Sequence, residues 1–448
     1  MKYILALFLV FYFGSLYSKI VPQTATLSNG LKVIVFQNPL LPSVSVFTKY
    51  DVGTADDPFH LVGLSHMLEH MMFKGSSKYP KGEIDSILNK CGGEFNAQTS
   101  FDTTVYSFSI PAEYLEIALD IEADRMKNLD LKEEEFLPEQ KVVIEERQMR
   151  LGNHPFSSSA EIYQRSMYTA HPYGIFPIGY ETHIKAYTID ALKDHYKKWY
   201  APNNATIAIV GPYDLASVLP KIEAYFSGVS SQDLPLRSRI PEPQRQGLTA
   251  TLEQENPRAE NIYINIFYRV PTLNTQPEAY LAMRVLEDAL TGTDSRKLRK
   301  QMVKEKRLAL GVSGRYECGK DDMGFTFSLI LSPDMSVEKA EKFLFEQLRE
   351  FLKNGLLEKD FNNAKKERLN LFTFAMDGGA FLSTLAMSVL NGLPVEVVSN
   401  YEDYLQKITK QQAQEMLKLI LSQPPVVIAR NYPKGKMPKR NYQQVLGQ

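Results

Sequence analysis

The same series of apolar runs occurs twice along this chain, and that repetition limits the folds open to it. Residues 31–36 and 44–50 alternate apolar and polar in the period-2 manner of strands. A helical stretch at 84–89, a strand at 103–110, an amphipathic run at 112–126 and a long helix at 133–150 follow. The order resumes with a strand at 261–268, a helix at 277–289, a strand at 325–331 and a helix at 337–352. Local words echo as well: Leu129-Asp130-Leu131-Lys132-Glu133-Glu134-Glu135-Phe136 is matched by Leu356-Leu357-Glu358-Lys359-Asp360-Phe361. Duplication of an α+β unit explains this most economically. It predicts two homologous halves, each a mixed or antiparallel sheet with helices packed on one face. The polar, Pro-containing stretch 227–247 separates them. The expected division is a leader at 1–18, a first half at 19–230, a linker at 231–247, a second half at 248–437 and a tail at 438–448.

The halves differ in chemistry. His66-Met67-Leu68-Glu69-His70, an H-x-x-E-H sequence, lies in the apolar run 61–73. Each helical residue turns the chain by about 100°, so His66 and His70 share one face with Glu69 beside them. Two imidazoles at this spacing can share a Zn²⁺, and a carboxylate near the ion can take the proton of an attacking water. The order is the inverted form of the commoner zinc-protease motif. With seven His in 448 residues, chance would produce the pattern in about one such chain in a hundred. The other five, His60, His154, His171, His183 and His195, read as core histidines bonded to backbone. All seven precede the linker. Laying Leu68-Glu69-His70 on Leu286-Glu287-Asp288 puts Arg284 where His66 stands, so the second half is expected to lack a metal site.

Composition excludes several classes. Hydrophobic residues make up 44% and charged residues 23%, an ordinary globular balance with length for two to four domains. The formal net charge is −1, with both signs interspersed, so nucleic acid is not an expected partner. The basic cluster at 434–440 reads as a solvated tail. Two cysteines far apart make neither a disulfide framework nor a Cys-rich zinc site. Any further metal ligand should therefore be a carboxylate. Residues 1–18 read as a secretory signal, with Lys2, an apolar run at 4–13, then Gly14, Ser15 and Ser18. The run is shorter than the ~20 residues that span a bilayer. Leu16 and Tyr17 make an imperfect cleavage site, so an uncleaved anchor is the alternative to a cleaved signal. No later segment is long and apolar enough to span, so the mature chain is expected to carry no transmembrane segment.

A tetrahedral catalytic zinc takes three protein ligands and a water. The helix after Phe136 offers Glu139, Glu145 and Glu146, with Glu139 and Glu146 two turns apart on one face. Periodicity does not choose between Glu145 and Glu146. At this point the chain resembles the pitrilysin (M16) family of zinc peptidases, in which the third ligand is a Glu seventy-six residues after the second motif His; here that is Glu146. Further matches cover nearly the whole mature chain. Gly93-Glu94-Phe95-Asn96-Ala97-Gln98-Thr99-Ser100 is similar to the family strand that lies along the substrate. His171-Pro172-Tyr173-Gly174 and Tyr200-Ala201-Pro202-Asn203-Asn204, followed by Ile209-Val210-Gly211, resemble signatures of its N-terminal half.

The resemblance implies one zinc per chain held by His66, His70 and Glu146, with Glu69 as general base and Glu139 as a supporting carboxylate. It implies the two-half fold of the processing-peptidase type and a peptide or unfolded-protein substrate. That substrate would bind extended at the edge strand near Asn96 and Ala97. With the leader, it implies an exported bacterial form similar to the mitochondrial processing peptidase β subunit, periplasmic in a Gram-negative cell, or else secreted or anchored by its signal. One departure stands out. Many members carry in the second half an Arg and, seven residues later, a Tyr that hold the substrate and the oxyanion. Alignment through Lys306-Arg307-Leu308-Ala309 puts Val303 and Leu310 there, and neither donates a hydrogen bond. Arg315 and Tyr316 are at the wrong spacing and read as surface or strand residues. Either another group does this work or a heterodimeric partner, a related chain carrying the Arg/Tyr pair, supplies it. The competing class is a non-catalytic scaffold or substrate-presenting subunit.

Overall fold

The computed structural model describes residues 21–152, 157–237, 239–243, 247–375 and 379–438. The leader at 1–18, His154 and residues 439–448 of the tail lie outside them. The first half runs β1 (Gln23–Thr26), β2 (Lys32–Gln37), β3 (Ser43–Tyr50), α1 (Leu64–Met71), α2 (Glu83–Cys91), β4 (Glu94–Thr99) and β5 (Thr104–Pro111). It continues through α3 (Leu115–Asn128), α4 (Glu133–Arg147), α5 (Ser157–Met167), α6 (Glu181–Ala186), α7 (Ile189–Trp199), β6 (Ala205–Gly211) and α8 (Leu215–Phe226). The second half begins with β7 (Ala250–Asn256), β8 (Ile262–Arg269), α9 (Pro277–Thr291), α10 (Lys297–Arg299), β9 (Gly311–Glu317) and β10 (Gly324–Leu331). There follow α11 (Val337–Asn354), α12 (Glu358–Ala375), α13 (Gly379–Leu390), α14 (Val395–Ser399), α15 (Tyr401–Lys407), α16 (Lys410–Ile420) and β11 (Val427–Pro433).

Topology carries the duplication further than the linear pattern does. One sheet has the order β1-β2-β6-β3-β5-β4 and the other β7-β11-β8-β10-β9. In both, the last strand of the half inserts between its first long strands, parallel to one and antiparallel to the other: β6 between β2 and β3, β11 between β7 and β8. Both sheets then end on a strand with one free edge, β4 and β9.

Helices of its own half cover one face of the first sheet, where Val33, Val35, Val44 and Val46 pack with Met67, Leu119 and Ile222. The alternate residues Ile34, Phe36, Phe47, Ala208 and Val210 point the other way, into a core shared with Leu382, Leu385 and Ala386 of α13. The second half therefore covers that face. Burial on both sides explains why β6 is buried at all seven positions rather than alternating. The converse packing brings Met167 of α5 against Phe267, Val427 and Ala429 of the second sheet. Each half lends a helix to the other.

The linker is not a free tether. Arg239 pairs with Asp56 at 3.0 Å and Asp102 at 2.6 Å in the first half, and with Asp321 at 2.7 Å in the turn between β9 and β10. Glu242 accepts the backbone N–H groups of Thr169, Ala170 and His171 at 2.8–3.0 Å. His171 and His195 are buried as expected, but His60 is exposed and not a core residue. It lies in a short 3-10 turn (Phe59–Leu61) that packs only Leu61 inward.

Candidate metal centre

α1 is only eight residues long, so its orientation depends on how it starts. Gly63 at its N-terminus has φ +103°, and a Cβ there would meet Tyr187 Oη at 2.3 Å. Only glycine suits both demands. The Asp57 carboxylate accepts the free N–H groups of Gly63 at 2.8 Å and Ser65 at 3.2 Å, and the Ser65 hydroxyl at 2.6 Å. It thus caps the positive end of the helix. Burial pushes its carboxyl up to about 7. Ser65 Oγ also lies 3.0 Å from His195 Nε2. Because its proton goes to Asp57, this Asp-Ser-His group is a buried cap and lacks the free serine-to-histidine transfer of a hydrolase triad.

One turn further, the imidazoles of His66 and His70 stand with ring centroids 4.7 Å apart. α4 crosses α1 and presents Glu139 and Glu146 from one face. Glu146 Oε2 lies 3.2 Å from His70 Nε2 and 3.6 Å from His66 Nε2. It is buried, and no donor reaches it in hydrogen-bond geometry. Donor atoms of His66, His70 and Glu146 all fall within 4.8 Å of one another. A tetrahedral ion about 2 Å from each ligand would space them by about 3.3 Å. Two imidazole nitrogens and one carboxylate oxygen, itself buried and without a hydrogen-bond partner, fit zinc with a fourth position left open. Glu145, about 100° round the helix from Glu146, is exposed and absent from the group.

Glu139 plays a different part. Its Oε1 accepts His70 Nδ1–H at 2.8 Å, and its Oε2 pairs with Lys74. Holding Nδ1 as a donor leaves Nε2 facing Glu146, the nitrogen whose lone pair a metal would take on displacing its proton. Burial acts downward on His70, but Glu139 and Glu146 outweigh it and raise the imidazole to about 9. Burial, then the charge of His70, drives His66 down to about 3. Burial raises the Glu69 carboxyl, and a 2.5 Å hydrogen bond from Thr99 Oγ1 offsets part of that rise.

A cleft of about 540 Å³ opens beside these groups, lined by Glu69, Ala97, Thr99, Phe47 and, from α13 of the second half, Met387. It adjoins a cavity of about 300 Å³ lined by His70, Glu139 and Glu146. His66, Glu69, Asn96, Ala97 and Arg150 line both. The free edge of β4 runs along the cleft, and the Ala97 N–H is capped by its neighbour's Asn96 Oδ1 at 2.8 Å.

Residues 32–172 match the family described as insulinase (peptidase family M16), and residues 186–368 match the M16 peptidase inactive domain. The chain belongs to the M16 peptidase family. Zinc protease PqqE of Helicobacter pylori is 29% identical over 383 residues, covering 83% of this chain and 85% of that one. A zinc protease of Bacillus subtilis, YmxG, is 25% identical over 76% of this chain and 81% of its own length. Among solved structures, a protease from Helicobacter pylori superposes with a TM-score of 0.85 at 25% identity, over 92% of this chain and all of that one. Pitrilysin shares the fold at a TM-score of 0.76 and 20% identity; this chain matches 46% of its length.

In this M16 chain the structure brings His66, His70, Glu146, Glu139 and Glu69 together, with Asn96 and Ala97 at the cleft wall. Val303 is half-buried against the second core, and Leu310 is half-exposed with its N–H on Ile330 O; neither lines the cleft. Arg315 is exposed and Tyr316 buried, both on β9. Sequence reasoning missed Thr99, Arg150 and Met387. Thr99 had a legible signal, standing two residues beyond Ala97 on the same face of β4. Met387 had none, because its place follows from the exchange of helices between halves.

Proposed function

We propose that this protein is a zinc endopeptidase that cleaves peptides or unfolded polypeptides held extended along β4. One zinc per chain is held by His66, His70 and Glu146, and Glu139 orients His70. When bound, the ion supplies a Lewis acid that polarises the scissile carbonyl and acidifies water. Glu69 takes the proton of the attacking water and delivers it to the leaving amine. The β4 edge offers backbone hydrogen bonds once a substrate carbonyl displaces Asn96 Oδ1 from the Ala97 N–H, which gives affinity with little sequence choice. The observation that carries this reading is the buried Glu146 oxygen without a hydrogen-bond donor, 3.2 and 3.6 Å from two imidazole nitrogens and beside a carboxylate that lines the same cleft.

Residues 19–230 would form the zinc-binding half and 248–437 its inactive counterpart, a division supported by the two matching sheets. Arg150 is the cation lining both cavities and pairs with Glu146 Oε1 at 2.5 Å. It can supply the donor that Val303 and Leu310 lack, so this reading needs no heterodimeric partner. No helix among the described residues is long and apolar enough to cross a membrane. A structural neighbour, PqqL of Escherichia coli, is a periplasmic protease, and the leader fits an exported location of that kind.

The test is zinc content and cleavage of an unstructured peptide pool by purified residues 19–448, beside Glu69→Gln. About one zinc per chain with Glu69-dependent cleavage is expected. Zinc without cleavage would favour a partner-dependent subunit, and neither would favour a scaffold.

A further inference from the structure

Glu69 needs more than proximity to act as a base. Its carboxylate turns about two side-chain torsions beyond Cβ, and a base must hold one oxygen within hydrogen-bond reach of the proton it takes. α1 fixes the backbone but not that rotation. Among the described residues one side chain bonds the carboxylate, Thr99, whose Oγ1–H donates to Glu69 Oε2 at 2.5 Å. Both residues are under a tenth exposed. Thr99 is the last residue of β4 and pairs in register with Thr104 of β5. Its branched Cβ restricts χ1, so the hydroxyl direction follows the strand backbone. The alternation of β4 puts Phe95, Ala97 and Thr99 on its more buried face. Phe95 packs tilted against Phe73 with ring centroids 4.5 Å apart and lies 4.4 Å from the buried Arg125 guanidinium, which seats the strand against the segment after α1.

We infer that Thr99 is a positioning residue for the Glu69 carboxylate. Its hydroxyl holds Oε2 and leaves Oε1 for the attacking water, and so ties the orientation of the base to the strand on which substrate is laid. A peptide that adds to the free edge of β4 orders the strand carrying this hydroxyl. Strand addition and alignment of the base are then one event. The inference rests on the reading of Glu69 as general base.

The comparison of Thr99→Ser with Thr99→Ala isolates the hydroxyl, because the two differ by that oxygen alone. Steady-state cleavage of one defined unstructured peptide, zinc content and melting temperature are measured for both, beside the parent and Glu69→Gln. The expected result is that Thr99→Ala loses about ten- to a hundredfold in kcat, the range seen when an orienting partner is removed from a metal site. KM should stay within about twofold, zinc content should be unchanged, and Thr99→Ser should keep most of the parent kcat. Equal kcat for the Ser and Ala variants, with Glu69→Gln inactive, would overturn the positioning role and leave the base assignment standing. So would a loss in Thr99→Ala that appears only in KM or in zinc content. A Glu69→Gln variant that still turns over would overturn the base assignment, and this inference with it.

Discussion

The two halves use the same helix crossing for opposite ends. In the first, α1 and α4 bring two imidazoles and a carboxylate to one point, with an oxygen that has no hydrogen-bond donor. In the second, α9 and α12 pack together, but guanidinium groups stand against the carboxylates there. Arg284 hydrogen-bonds Glu287 at 3.0 Å, and Arg368 forms an ion pair with Asp288 at 2.7 Å. The Arg284 guanidinium also lies over the rings of Tyr280 and Tyr316 at 5.1 and 5.7 Å. Glu287 stands where Glu69 does in the sequence match, yet a guanidinium three residues earlier occupies it. An Arg at the position of His66 puts a permanent cation beside Glu287 where the first half has an imidazole that can give a metal its lone pair.

The largest effect that would test this contrast is Glu69→Gln, which should lower turnover by about 10²–10⁴-fold while zinc stays bound, as measured by peptide cleavage and metal analysis. Next comes Glu139→Gln, which keeps shape but weakens the hold on His70. Zinc affinity or activity should fall about 10–100-fold, read by chelator competition. In the second half, Arg284→Met should cost about 1–3 kcal/mol in denaturant unfolding, because Glu287 loses its partner in a site mostly closed to water. Zinc content should not change, and a loss of zinc there would show that the crossings are coupled.

The smallest effect concerns pH. Asp57 has a folded value near 7 against an ordinary 3.8, and His70 near 9 against 6.5. Both bind a proton more tightly folded than unfolded, so stability falls as pH rises, from about 4 to 7 through Asp57 and from 6.5 to 9 through His70. Chelator-treated protein should therefore melt lower at pH 9 than at pH 6. Zinc must displace the His70 proton, so its binding at pH 7 should release about one proton, measurable by calorimetry in buffers of different ionisation enthalpy.

How much of this was legible depends on whether the cause is local. The i, i+4 histidines, the alternating strands and the long α4 follow from periodicity, and their bounds agree with the structure to within a few residues. The insertion of β6 and β11 inside their sheets was not legible, because alternation gives a strand's faces but not its neighbours. Nor was the exchange of α5 and α13, since an apolar helix face does not say which half it covers. The linker charges Arg237, Arg239 and Glu242 look solvated in sequence; only the approach of Asp56, Asp102 and Asp321 from both halves makes them a clasp. Glu145 and Glu146 are neighbours on the helix, and periodicity did not separate them; the spacing of the resembled family did, and α4 sets Glu146 beside the two imidazoles.

The most direct test of the contrast is an anomalous difference map at the zinc edge from crystals of the zinc-loaded protein. The account predicts one peak per chain, within about 2 Å of one nitrogen each of His66 and His70 and one oxygen of Glu146, with none near Arg284, Glu287 and Asp288. A peak at other residues, or none between these three, would contradict it.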